Sequence, residues 1–322
     1  MRAVRFEQTG GPEVLQLAEV ATPQPGPGQI LIRHQAIGIN FIDTYHRTGL
    51  YPVKLPSGIG MEAAGVVEAV GEGVTRFRAG DAAAYNGVMG AYADFAVVPA
   101  ARAVKPPAGV DSHRAAAALL KGMTAEFLLR RCYRIEAGDT ILVHAAAGGV
   151  GQIMVQWAKA LGAKVIATVG DQRKAERARE LGADHTILYR EQDVAAEVRR
   201  LTDGKGVPVV YDSVGKDTFE ASLASLARRG MLVSFGNASG PAPAVEPSRL
   251  QRGGSLFLTR PTLFDYTVTT EELDESASAL FEMIGSGKVQ IEIGQTFPLA
   301  EARRAHEALE SRQTIGSTLL IP

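Results

Sequence analysis

Thiols are almost absent from this sequence: a single cysteine, Cys132, stands among 322 residues. That excludes a disulfide framework and any zinc site built on several thiolates. Neither sign of charge is in excess. The 34 Lys and Arg face 35 Asp and Glu, a net charge of −1 with histidine neutral. Nucleic-acid and acidic-membrane binders draw affinity from a basic excess, so neither partner is expected. The opening MRAVRFEQTG has no apolar core of the signal-peptide kind, and a cytoplasmic location is expected. Long hydrophobic runs are missing too. The uncharged stretch 140–158 is interrupted by three glycines and by His144, Gln152 and Gln156. It reads as a buried strand, a turn and a helix, whereas a membrane span wants about 20 predominantly apolar residues.

What is there is ordinary for a globular chain, 46% hydrophobic and 21% charged. At about 150 residues per domain the length predicts two domains. The first hundred residues read as β-rich, with LQLAEV, GQILIRHQAIGI and AAGVVEAV as short apolar or alternating runs punctuated by Pro and Gly. A barrel or sandwich is expected there. One helix follows Asn40, in FIDTYHRTG, and stops at Gly49. Near residue 111 the texture changes to an Ala- and Leu-rich helix. Strands then alternate with helices of 10–15 residues, the pattern of a parallel sheet covered on both faces. TFEASLASLARRG is read as one of these helices. The tail returns to mixed texture and is too short to fold alone. The expected division is 1–124 and 265–322 as a β-rich catalytic domain, with 125–264 as the dinucleotide-binding domain.

The strongest local signal is Ala146-Ala147-Gly148-Gly149-Val150-Gly151, which follows the strand ILVHA and opens the helix QIMVQWAKA. Small residues let backbone approach a pyrophosphate, and the helix start offers N–H groups to it. Ala147, Gly148, Gly149 and Val150 are therefore candidate cofactor contacts. The next strand, 165–170, ends at Gly170 without the acid that usually accepts from an NAD ribose. Lys174 follows, and Tyr189 ends the strand after that. A lysine in place of a carboxylate suits the 2′-phosphate of NADPH. Asp171 complicates this, either pointing to solvent or binding a ribose.

A second spacing runs through Gly60-Met61-Glu62, Gly65, Val67, Val70-Gly71, Val74 and Gly80-Asp81. It resembles the GroES-like catalytic domain of the medium-chain dehydrogenase/reductase superfamily. Gly138-Asp139, Leu142, the glycine turn, Gln156 and Lys159 resemble the zinc-independent NADPH:quinone oxidoreductase (ζ-crystallin-like) signature. So do Asn40-Phe41-Ile42-Asp43-Thr44-Tyr45, Tyr211-Asp212-Ser213-Val214-Gly215, Ser234-Phe235-Gly236-Asn237 and Thr259-Arg260-Pro261. The resemblance covers essentially the whole chain. It implies a Rossmann sheet plus a GroES-like domain, an NADPH cofactor, a quinone acceptor and a homodimer. Where zinc-dependent relatives place a Cys and a His, this sequence has Asn40 and Met61.

The resemblance places Asn40, Tyr45 and Tyr51 around the nicotinamide and the acceptor. An Asn can orient a carbonyl; a Tyr can stack or donate a proton, or simply be a partly buried aromatic. His46 is a rival proton donor, though a plain surface histidine is the favoured reading. Lys121, Met123 and Thr124 resemble nicotinamide contacts, while Lys121 could equally be a solvated helix lysine. The resemblance adds Gly170, Lys174, Tyr189, Ser213, Phe235, Gly236, Asn237, Arg260 and Arg312 as cofactor contacts, with Arg260 and Arg312 alternatively structural. Three functions follow. They are quinone reduction, reduction of α,β-unsaturated carbonyls, and a non-catalytic crystallin-like or RNA-binding role that the neutral charge disfavours. Residues 255–259 read as an apolar edge strand or an internal one.

Overall fold

The computed structural model describes all 322 residues and divides into two compact units. The first comprises Met1–Met123, Thr267–Gly285 and Ile291–Pro322; the second comprises Thr124–Tyr266 and Ser286–Gln290.

The first unit is β-rich, as its short alternating runs require. Strands Arg2–Phe6, Gln16–Glu19 and Ser57–Gly58 form a small antiparallel sheet. A seven-stranded sheet runs in the order Ile293–Pro298, Ser317–Ile321, Gln29–Ile39, Glu62–Val70, Ala82–Asn86 and Ala103–Val104, with Phe95–Pro99 also pairing on Gln29–Ile39. The long strand Gln29–Ile39 organises it, aligning Ile30 with Val70 and Ile39 with Thr318. Ile30, Ile32, Ile37 and Ile39 from this strand fill the core with Phe6, Tyr85 and Tyr92. Each such aliphatic side chain withdrawn from water contributes roughly 1.5–3 kcal/mol. The helix Phe41–Thr48 leaves this strand at once and ends on Gly49 at φ 81°, the left-handed stop that glycine adopts without strain.

The second unit is a six-stranded parallel sheet. Its strands, in chain order, are Thr140–Val143, Lys164–Val169, His185–Leu188, Val207–Asp212, Leu226–Ser234 and Phe257–Thr259. In space the third lies outermost, then the second, the first, the fourth, the fifth and the sixth. That is the doubly wound Rossmann order, whose winding reverses between the first and fourth strands. Phe257–Thr259 is therefore an edge strand.

One expected helix is shorter than its composition. TFEASLASLARRG is helical only over Phe219–Ser225, and Leu226 already pairs with Val207. Arg229, at φ 64°, turns the chain before pairing resumes at Met231. The helix ends at Leu226, extended at ψ 142°, and its parallel pairing with Val207 draws the alanine- and leucine-rich continuation into the sheet.

Candidate active site

In the second unit the glycine turn sits at the carboxyl end of Thr140–Val143, beside the reversal point where Leu142 and Val143 align with Val210 and Tyr211. Helix Gly149–Ala160 starts at Gly148 with no side chain capping it. A methyl group at Gly151 would lie 2.7 Å from Ala146 Cα and collide with the Ala145 carbonyl. Only glycine lets the first helical turn lie this close to the preceding loop. Bare backbone and uncapped N–H groups at a helix start make a cradle that fits a pyrophosphate.

The neighbouring loops are tied into the same edge. The Phe235 N–H donates to the Asp212 carbonyl at 2.8 Å, and the Ser239 N–H to the Val214 carbonyl at 2.8 Å. A methyl at Gly236 would strike the Ser213 carbonyl. Asp212 accepts from the N–H groups of Val214 and Gly215, and from the hydroxyls of Thr218 and Ser222. Burial alone would raise its pKa; His144, the Ser222 hydroxyl and the Gly215 N–H together hold it below the ordinary carboxylate value. His144 is buried between the Thr168 and Ser222 hydroxyls, and burial lowers its pKa. Arg260 braces this edge from below. Its Nη1 donates to the carbonyls of Ser234 and Gly236, both at 2.9 Å. With the Asn237 amide oxygen turned to the guanidinium, Nη2 donates to it at 2.9 Å.

At the end of the second strand, a methyl at Gly170 would stand 2.9 Å from the Tyr189 hydroxyl, so glycine keeps that hydroxyl close to the backbone. Asp171 is exposed, and its carboxylate accepts the Lys174 backbone N–H at 2.9 Å, capping helix Gln172–Glu180. That is the local reason an acid stands there.

In the first unit a second cluster forms around Glu62, which is fully buried. Its Oε1 accepts the Leu120 N–H, while Oε2 accepts Lys121 Nζ at 2.9 Å and Asn40 Nδ2 at 2.9 Å. A methyl at Gly38 would collide with this carboxylate and with the Ala116 carbonyl, so Gly38 admits both. Lys121, 4% exposed, is thus no solvated lysine. Met123, on the same helix Ser112–Phe127, takes an Asn86 Nδ2 contact at 3.2 Å on its sulfur, and Thr124 follows it. Beyond Asn40, helix Phe41–Thr48 carries Tyr45, whose ring meets Tyr51 edge-on at 5.3 Å. His46, favoured as a surface histidine, is 8% exposed with Nδ1 unpartnered, and burial lowers its pKa. Its ring lies 6.0 Å from that of Tyr51, and the amphipathic helix turns this face inward. Arg312 stands at φ 57°, just past helix Ala302–Glu310, with its N–H on the Leu309 carbonyl.

Glu62, Asp43, Tyr92 and His306 carry no role in the sequence reading, although the first two fall inside quoted motifs. Tyr92 and His306 give no sequence signal, because only folding brings them beside residue 43.

No group of three His, Cys, Asp or Glu side chains is arranged to hold a metal ion, and no helix is long and apolar enough to cross a membrane.

Residues 26–108 match the alcohol dehydrogenase GroES-like domain, and residues 149–284 match the zinc-binding dehydrogenase family. The chain is 53% identical to a quinone oxidoreductase of Pseudomonas aeruginosa, covering 100% of this chain and 99% of that one. It is 46% identical to a 2-haloacrylate reductase of a Burkholderia species, over 99% of this chain and 98% of that one. The Escherichia coli quinone oxidoreductase crystallised with NADPH superposes with a TM-score of 0.98 at 50% identity, over 100% of both chains. With two such units, a doubly wound cradle and full-length likeness of this degree, the chain belongs to the quinone oxidoreductase family of the medium-chain dehydrogenase/reductase superfamily.

Proposed function

We propose that this protein is an NADPH:quinone oxidoreductase that works without a metal. The observation that carries the reading is the cradle at the sheet's reversal point, with Gly170 and Tyr189 at the strand ends and the nearby acid, Asp171, engaged in capping the helix that carries Lys174. Ala147, Gly148, Gly149 and Val150 hold the pyrophosphate. Tyr189 and Lys174 receive the 2′-phosphate, with Gly170 leaving room for it. Ser213, Phe235, Gly236 and Asn237 border the nicotinamide half, and Arg260 fixes their loop from behind. Arg312 is a further cofactor contact. Residues 125–264 form the NADP-binding domain, and 1–124 with 265–322 the catalytic domain.

When bound, the nicotinamide supplies the reducing electrons, as hydride or singly. The chain's own work is to orient and to desolvate. Glu62 holds the Asn40 amide, which orients the acceptor carbonyl or the carboxamide. Lys121, Met123 and Thr124 line the nicotinamide side, and Tyr45 and Tyr51 offer a paired aromatic wall to a flat acceptor. An amide at position 40 and a thioether at position 61 are poor partners for zinc, which takes thiolate and imidazole. A quinone that accepts two electrons takes up its protons readily from water, so no essential acid is assigned.

Steady-state oxidation of NADPH and of NADH against 1,4-benzoquinone, a larger quinone and an enone tests the reading. Quinone turnover with a clear preference for NADPH is expected; inactivity with every quinone would remove the function. The second reading, reduction of α,β-unsaturated carbonyls, is favoured by the likeness to the 2-haloacrylate reductase and predicts the enone as the better acceptor. We further propose a cytoplasmic homodimer joined through the edge strand Phe257–Thr259, where Phe257 and Leu258 are exposed.

A further inference from the structure

Asp43 lies in the first turn of helix Phe41–Thr48, fully withdrawn from solvent. Its Oδ2 accepts twice, from the Asn40 N–H at 2.9 Å and from the Tyr92 hydroxyl at 2.9 Å. Its Oδ1 is buried with no partner. A carboxylate left bare on one side in a dry interior is strongly disfavoured, and a proton on the bare oxygen removes the charge.

The hydrogen bonds behind Asp43 have a fixed direction. Arg47 Nη1 can only donate, so His306 Nδ1, 3.0 Å away, must accept. The His306 proton then sits on Nε2, facing the Tyr92 oxygen at 3.1 Å. Tyr92 in turn directs its own proton to Asp43 Oδ2. Arg47 is held by the Glu310 carboxylate at 2.7 and 3.0 Å. Burial, reinforced by the Arg47 charge, keeps His306 neutral, with its pKa lowered to about 3. Every donor in the chain points at Oδ2, so a proton taken up by Asp43 goes to Oδ1.

We infer that Asp43 is a positioning residue for Asn40, gripping its backbone N–H firmly as a carboxylate and more weakly once Oδ1 takes a proton from solvent. The inference rests on the proposed placement of Asn40 at the acceptor. A neutral carboxyl is a weaker acceptor than a carboxylate, so protonation loosens the entry to helix Phe41–Thr48 at the residue whose amide also meets Glu62. Burial favours the acid. The Asn40 N–H, the Tyr92 hydroxyl and the Lys121 charge oppose it, and the Glu62 charge adds to it; the midpoint is raised to about 7. Arg47 and Glu310 face the far side, beyond His306.

The test pairs a direct titration with kinetics. Carbon-13 NMR of labelled aspartate carboxyls follows wild type, Asp43→Asn and Tyr92→Phe across neutral pH, and kcat/KM for the quinone is measured on the same samples. One carboxyl titrating near pH 7 in wild type and missing from Asp43→Asn is expected. Tyr92→Phe removes a donor to the carboxylate and moves that midpoint upward. In wild type, kcat/KM falls severalfold below the same midpoint, and Asp43→Asn flattens the step. Absence of a neutral-range carboxyl overturns the inference. So does a kinetic step that survives in Asp43→Asn. If the carboxyl titrates but no quinone is reduced by any form, the proposed function falls and the protonation of Asp43 stands. Tyr92→Phe gives a midpoint shift to read even if Asp43→Asn does not fold.

Discussion

Lys121 Nζ lies 2.9 Å from Glu62 Oε2, with both side chains almost wholly out of solvent. A pair this dry adds little net stability, yet breaking it from one side leaves an uncompensated charge. Lys121→Met is expected to lower unfolding stability by about 3–5 kcal/mol. The double change Lys121→Met with Glu62→Gln recovers part of that loss. Denaturant melts of the three proteins measure it, and equal losses in the single and double variants would contradict the pairing argument.

Lys174 is assigned to the coenzyme's 2′-phosphate. Reversing its charge with Lys174→Glu should reduce kcat/KM for NADPH by roughly ten- to a hundredfold, the worth of one charged hydrogen bond. The rate with NADH should change far less, because that coenzyme has no phosphate there. Parallel losses with both coenzymes would place Lys174 elsewhere.

Phe257 is 53% exposed on an edge strand whose outer backbone has no neighbouring strand in the chain. A lysine in such a place blocks strand-to-strand association. Phe257→Lys should halve the mass seen by light scattering without altering the circular dichroism. Leu256 is unsuitable for this test, because its side chain packs on the sheet's own core.

Acid should weaken the first unit through its buried histidines. Burial lowers the pKa of His34 to about 4, against partial support from the Ala93 carbonyl and Asp94, and that of His306 to about 3. Between those values and the ordinary histidine value near 6.5, the unfolded chain binds protons that the folded one refuses. Stability from these two residues is complete above about pH 6.5 and is lost as pH falls towards 4 and then 3. Asp43 has the opposite sign, since its folded form keeps a proton up to about pH 7 and its contribution declines as pH rises to that point. Asp43→Asn should therefore steepen the acid loss, and His34→Gln should lessen it. Urea midpoints taken across this range check both signs.

Local periodicity made much of the fold legible. The alternation from 140 onward carries the Rossmann unit because each βα step is written within some 25 residues, and its glycine turn needs no distant partner to be recognised. The helix at Phe219–Ser225 ends early because Leu226 pairs with Val207 in the sheet, a tertiary demand that composition does not announce. The Glu62–Lys121 pair is half visible: the motif around residue 62 stands out in the sequence, but the choice between a buried and a solvated lysine depends on Gly38 and Ala116 lying alongside. For Arg260 the sequence leaves coenzyme contact and structural brace open, and its guanidinium holds the carbonyls of Ser234 and Gly236. Least legible was the group on Asp43, assembled from residues near 43, 92 and 306. A polar residue on an amphipathic helix ordinarily faces water, whereas His46 is buried.

Residues 317–321 complete the large sheet of the first unit by pairing with residues 37–39, and the whole Rossmann unit lies between them in the chain. During synthesis the nucleotide-binding half can therefore close while its β-rich counterpart still waits on the ribosome for its final strand. Units tend to fold in the order in which they emerge, but here the half that begins first is finished last. The short edge at residues 37–39 stays open until then, while residues 30–33 of the same strand are already paired on both sides.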